Sequence, residues 1–163
     1  MLYRILCAAF ILIGIPLATG TANADPYDGD PGFRHSTVSL GIAVGDPAAL
    51  DLKIWTAAGS GFDFGIGFRS FSERVGFYGE YELGLAHFRM GHSVWGVFYI
   101  GLGGAVSLKA NNETLSAALI VPIGLNFRFR APLEIFLEAR PGIELLQKTG
   151  FGIGGQLGIR FVF

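Results

Sequence analysis

From Val38 onward, apolar residues alternate with small or polar ones in eight separate stretches, the period-two signature of β-strands with two unlike faces. Val38, Leu40, Ile42 and Val44 stand against Ser39, Gly41 and Ala43. Leu50, Leu52 and Ile54 oppose Asp51, Lys53 and Trp55 after a turn at Asp46-Pro47. Phe62, Phe64, Ile66 and Phe68 oppose Asp63, Gly65, Gly67 and Arg69. In the fourth stretch Phe77, Tyr81, Leu83 and Leu85 face away from Tyr78, Glu80, Glu82 and Gly84. The fifth sets Phe98, Ile100, Leu102, Val106 and Leu108 against Tyr99, Gly101, Gly103, Ser107 and Lys109. The sixth runs unbroken through Leu119, Val121, Ile123, Leu125, Phe127 and Phe129, opposite Gly124, Asn126 and Arg128. Leu133, Ile135, Leu137 and Ile143 then oppose Glu134, Glu138, Arg140 and Glu144. The last sets Ile153, Leu157, Ile159, Phe161 and Phe163 against Gly154, Gln156, Gly158 and Arg160.

The apolar face carries no charge in any stretch. The other face holds seven acids (Asp51, Asp63, Glu80, Glu82, Glu134, Glu138, Glu144) and six bases (Lys53, Arg69, Lys109, Arg128, Arg140, Arg160). A soluble barrel would turn the apolar face inward. Here the bulky apolar residues share one face, while the charged face is rich in Gly, Ala and Ser, as a narrow, curved interior requires. Near-matched charges can pair there, and an unpaired buried charge costs several kcal/mol. A charge facing lipid at the midplane costs about 2–4 kcal/mol, which accounts for the empty outer face. Lipid offers no partner to an open sheet edge, so the sheet must close. The pattern predicts an all-β, eight-stranded, antiparallel up-and-down transmembrane β-barrel with a filled polar lumen. At eight strands the interior is just filled by side chains.

If Arg130-Ala131-Pro132 forms a three-residue turn, Arg128 faces Glu134 across the hairpin on the inner face. The same register sets Pro122 level with Arg140 and beside Pro141. Proline cannot donate to a ladder, so a broken or bulged rim is expected there.

Composition fits this picture. Hydrophobic residues make up 51% of the 163, with 25 Gly and 15 Phe. No apolar run after residue 24 reaches the length of about 18 that a spanning helix needs. A formal net charge of −1 offers no basic face for nucleic acid. Residues 1–24 read as a secretory signal peptide: Arg4, the apolar block Ile5–Ala18, then Ala22-Asn23-Ala24 as the cleavage motif. The lone Cys7 leaves with that leader, so neither disulfide nor Cys-based metal site is expected. Residues 25–36 would be a flexible periplasmic segment, and residues 37–163 the barrel. Phe163 is expected to lie on the outer face of the strand that closes the ring.

A terminal aromatic preceded by outward apolar residues at two-residue steps resembles the C-terminal segment of bacterial outer-membrane barrels. Over residues 37–163 the chain resembles the small eight-stranded barrels of the OmpA-transmembrane and OmpX type. Through GIAVGDPAALDLKIW (Gly41–Trp55) and APLEIFLEARPGIELL (Ala131–Leu146) it is also similar to a family of small bacterial outer-membrane barrels. The resemblance implies residence in the outer membrane among its lipids and lipopolysaccharide, and handling by the barrel-assembly machinery through the strand ending in Phe163. It supplies no catalytic residues. A monomer with a structural or envelope-related role is the expectation, with no catalytic, cofactor or metal residues assigned.

Particular residues bear on other chemistries. A barrel lipid A deacylase carries H-x-S-N, whereas His92-Ser93 is followed by Val94. His92 and His87 are expected as ordinary loop residues on the periplasmic side, and His35-Ser36 lacks the motif too. Asp25–Gly32 lacks the spacing of a calcium loop, and Gly101–Ala105 lacks the helix a nucleotide loop needs. Glu80 with Glu82, and Glu134 with Glu138, are spaced for acid–base work, but neighbouring Arg128, Arg140 and Arg160 favour a structural salt network. Mutual neutralisation argues against an ion-conducting lumen. The short loops at Asp46–Ala49, Ser70–Arg74, Ala110–Thr114 and Leu146–Gly150 weigh against adhesion.

Overall fold

A computed structural model describes residues 37–57, 59–69, 74–109, 114–146 and 149–163. The leader, the lead-in with Asp25–Gly32 and His35, and parts of three expected loops lie outside these residues. Nine strands form among the described residues: β1 (Val38–Asp46), β2 (Ala48–Ala57), β3 (Ser60–Arg69), β4 (Arg74–Met90), β5 (Val94–Lys109), β6 (Thr114–Ile120), β7 (Ile123–Phe129), β8 (Leu133–Glu144) and β9 (Gly150–Val162). All pairings are antiparallel. β9 returns to β1, with Gly41 opposite Arg160, so the sheet closes on itself.

The ring nonetheless has eight positions. β6 and β7 lie end to end in one of them, both pairing with β5 on one side and β8 on the other. The sixth stretch, expected to be continuous, is therefore interrupted at Val121-Pro122, and the break falls in mid-strand rather than at a rim. The cause is two lost donors at adjacent positions. Gly101 N donates to Pro122 O at 2.8 Å, and Val121 N donates to Pro141 O at 2.9 Å. In each case the return bond would need a proline N–H. Inward and outward phases nevertheless continue unchanged, with Ile120 and Gly124 buried on either side of the gap.

Some turns are tighter, and one hairpin longer, than the pattern suggests. Pro47 alone separates β1 from β2, where a loop over Asp46–Ala49 was expected. The turn after β7 spans Arg130–Pro132 as anticipated, and Arg128 stands opposite Glu134. Gly59 and Gly91, at φ +71° and +68°, take the left-handed conformation at the β2–β3 and β4–β5 turns, where a side chain would be strained. β4 runs on to Met90 through a bulge between Gly84 and Ala86, which resets its phase. His87 consequently lies within β4 opposite Val97, not in a loop.

Burial follows the alternation with an inverted sense. The large apolar residues Leu40, Ile42, Leu50, Phe77, Leu102, Leu137 and Phe161 lie on the exposed outer surface, whereas Asp51, Lys53, Asp63, Glu82, Glu134 and Arg160 are almost wholly buried within. Three large inward aromatics near the middle of the ring each stand opposite a glycine: Tyr78 faces Gly65, Tyr99 faces Gly124, and Phe136 faces Gly158. A Cβ on any of these glycines would run into the facing ring. The abundance of glycine on the inner face thus follows from packing rings into a narrow lumen.

Candidate functional site

The chemistry of this molecule lies inside the ring. Strand alternation sends Asp51 and Lys53 inward from β2, Asp63 from β3, Glu80 and Glu82 from β4, Arg128 from β7, Glu134, Glu138 and Arg140 from β8, and Arg160 from β9. All ten are buried. Arg160 is the hub. Its guanidinium pairs with Asp51 and Asp63 and lies 2.8 Å from Glu134 Oε1, with the Phe136 ring centroid 3.7 Å away. Glu134 also accepts from Arg128 Nη2 at 2.9 Å, Asn126 Nδ2 at 2.7 Å and Ser39 Oγ at 3.2 Å. Ser39 in turn accepts from Trp55 Nε1 at 3.1 Å, which ties β1, β2, β7, β8 and β9 into one cluster.

A second cluster lies toward the end of the ring that carries Pro47. Arg140 pairs with both Glu80 and Glu138 and stacks 3.9 Å from the Tyr78 ring centroid. Tyr78 donates to Asp51 Oδ2 at 2.6 Å, and Tyr99 donates to Glu138 Oε2 at 2.8 Å. Lys53 pairs with Glu82, its ammonium 4.2 Å from the Trp55 ring and 4.7 Å from that of Tyr99. Charge-assisted hydrogen bonds with aromatic rings behind them offset the desolvation of buried ions.

Of the thirteen charged residues read from the sequence, ten meet in this lumen. Glu144 is half-buried at the Pro47 end; the side chains of Arg69 and Lys109 lie outside the described residues. The near balance of acids and bases does not carry over to the buried set. Among the described residues it contains six acids (Asp51, Asp63, Glu80, Glu82, Glu134, Glu138) against four bases (Lys53, Arg128, Arg140, Arg160), a formal excess of two negative charges. Ser39, Asn126 and Phe136 join the network without having been singled out for it. Their inward phase was readable, but neutral residues give no sign of which charge they will serve.

The lumen is plugged through its middle by fully buried side chains, among them Trp55, Tyr99, Phe136, Gln156 and Arg160. At the Pro47 end it widens into a cavity of about 190 Å³ lined by Pro47, Tyr78, Ser107, Ser116, Arg140 and Glu144. Ser107 and Ser116 hydrogen-bond across its wall at 2.9 Å. His92 is exposed in the turn between β4 and β5, and its carbonyl accepts from Arg89 Nη2 at 3.3 Å.

An antiparallel ring closed on itself, apolar outside and charged within, leaves no sheet edge and defines an inside-out β-barrel. Among solved structures the chain is similar to the N-terminal β-barrel domain of OprF from Pseudomonas aeruginosa, with a TM-score of 0.59 at 12% identity, covering 79% of this chain and 98% of that one. The likeness is one of fold, and the eight-position architecture anticipated for OmpA-type barrels is present. No family model matches the sequence, and no curated protein matches it.

Proposed function

We propose that the protein is an integral outer-membrane β-barrel, monomeric, with a structural or envelope-related role and no catalysis of its own. One observation carries this reading: among the described residues the outward phases of the strands carry no charge except Asp46, half-buried at the last position of β1, while ten charged side chains are buried inside. In water that arrangement would expose a belt of Leu, Ile and Phe and would bury ions without need. In a bilayer both features lower the free energy. The likeness to the OprF barrel domain, and the similarity of Gly41–Trp55 and Ala131–Leu146 to small outer-membrane barrels, support that membrane in particular. Export through the residue 1–24 signal and assembly through the strand ending in Phe163 belong to the same proposal, as do contacts with lipid and lipopolysaccharide.

The role assigned to the charges is internal: they hold the strands in register around a plugged lumen. The rival, an enzyme acting on lipid A or phospholipid, would need a histidine and a serine brought together at an accessible rim. His87 stands opposite Val97 inside β4, and His92 sits in an exposed turn beside Ser93 without the H-x-S-N spacing.

The test is electrophoretic mobility of the protein from outer-membrane fractions, boiled and unboiled in SDS. A boiling-dependent shift is expected. A protein recovered soluble from the periplasm, with one mobility in both lanes, would overturn the proposal.

A further inference from the structure

We infer that the lumen holds a hard divalent cation, calcium in preference to magnesium, between Asp63, Glu80 and Glu82. Asp63 and Glu80 are direct cross-strand partners on the inner face, and Glu82 follows Glu80 two residues along β4. Like charges placed opposite one another destabilise a sheet unless something lies between them. One carboxylate oxygen from each of the three lies within 4.8 Å of the others.

A second, independent observation separates these acids from the rest. Asp51, Glu134 and Glu138 have both carboxylate oxygens engaged by donors. In Asp63, Glu80 and Glu82 one oxygen is taken by a base, respectively Arg160, Arg140 and Lys53. The other oxygen (Asp63 Oδ1, Glu80 Oε2, Glu82 Oε1) is buried and has no hydrogen-bond partner among the described residues. The three acids with an unsatisfied oxygen are the three that converge. Among the described residues the buried acids outnumber the buried bases by two, the formal charge that one divalent ion carries.

The donor set selects the ion. Three carboxylates with no thiolate or imidazole favour a hard cation. Calcium binds oxygen at about 2.3–2.6 Å, so opposed ligands stand up to about 5 Å apart; magnesium's shorter bonds of about 2.0–2.1 Å ask for a tighter triangle. Entry is from the Pro47 end, because Arg140 and Tyr78 line the cavity there and Arg140 contacts Glu80 behind it.

The experiment uses the full barrel refolded into detergent micelles, freed of metal by a chelator, and titrated with calcium chloride while bound metal is counted by mass spectrometry. One calcium per barrel is expected. Glu80→Gln should weaken binding at least tenfold, and Glu82→Asp, which keeps the charge and withdraws the oxygen, should weaken it as well. Lys53→Gln adds one uncompensated negative charge and should tighten binding, which a purely structural lysine would not do. Folding of each variant is read independently from its boiling-dependent gel shift. A folded wild-type barrel that takes up no calcium at millimolar concentration would overturn the inference and leave the unsatisfied carboxylate oxygens to protons. Uptake undiminished in a folded Glu80→Gln or Glu82→Asp barrel would overturn this location.

Discussion

The Tyr78 ring fills the space that a Cβ on Gly65 would occupy, directly across the β3–β4 ladder, and from there its hydroxyl reaches Asp51 at 2.6 Å. A glycine on one strand thus sets the position of a hydrogen-bond donor on the next. Tyr99 against Gly124 and Phe136 against Gly158 repeat the device. Gly65→Val should push Tyr78 off Asp51 and lower stability by about 1–3 kcal/mol, as overpacking does. Urea unfolding of the refolded barrel, followed by tryptophan fluorescence, measures this; an unchanged midpoint would mean that the lumen has room to spare.

Arg160 serves three carboxylates from three other strands. Arg160→Met should therefore cost more than loss of one buried pair, for which about 3–5 kcal/mol is usual. The expected readout is a smaller fraction of heat-modifiable protein after refolding, with partial recovery in the double variant Arg160→Met/Asp51→Asn. That second change removes one of the carboxylates left without a base.

The outer face should respond to charge according to depth. Leu102 lies midway along β5 and Leu108 near its end, both exposed on the outside. In lipid, Leu102→Arg should cost about 2–4 kcal/mol and Leu108→Arg about 0–1 kcal/mol. Unfolding from vesicles compares the two. Equal costs would argue against a bilayer around this belt.

The gap between β6 and β7 should close when a donor is restored. Pro141→Ala supplies the N–H that Val121 O lacks, since Val121 N already donates to residue 141. Slower amide exchange across residues 120–123 is expected, with little change in global stability. Exchange rates measured by NMR in micelles decide it, and unaltered rates would place the cause of the break elsewhere.

How much of this was legible beforehand follows from the range over which each feature is decided. Alternation is local, so most strand positions and their inward or outward phase are readable from neighbouring residues; the end of β4 beyond its bulge and the first residues of β5 are not. The pairing of Arg128 with Glu134 could be read as well, because a three-residue turn propagates its register into the hairpin. The prolines at 122 and 141 announced a weak point. That it breaks the strand in the middle depends on where β5 and β8 present their ladder groups to it. His87 was misplaced because one extra residue in a bulge shifts the phase of all that follows.

What the linear chain determined by itself is the inside-out polarity, since period two and the segregation of charge to one face need no long-range information. The tertiary structure alone decided who meets whom inside. Arg160 lies 109 residues from Asp51 and 97 from Asp63, and only ring closure and the stagger of the strands bring them together. The same convergence decides which carboxylates keep an oxygen unsatisfied. It also leaves the buried charges unequal among the described residues, although the acids and bases on the inner face were nearly matched along the chain.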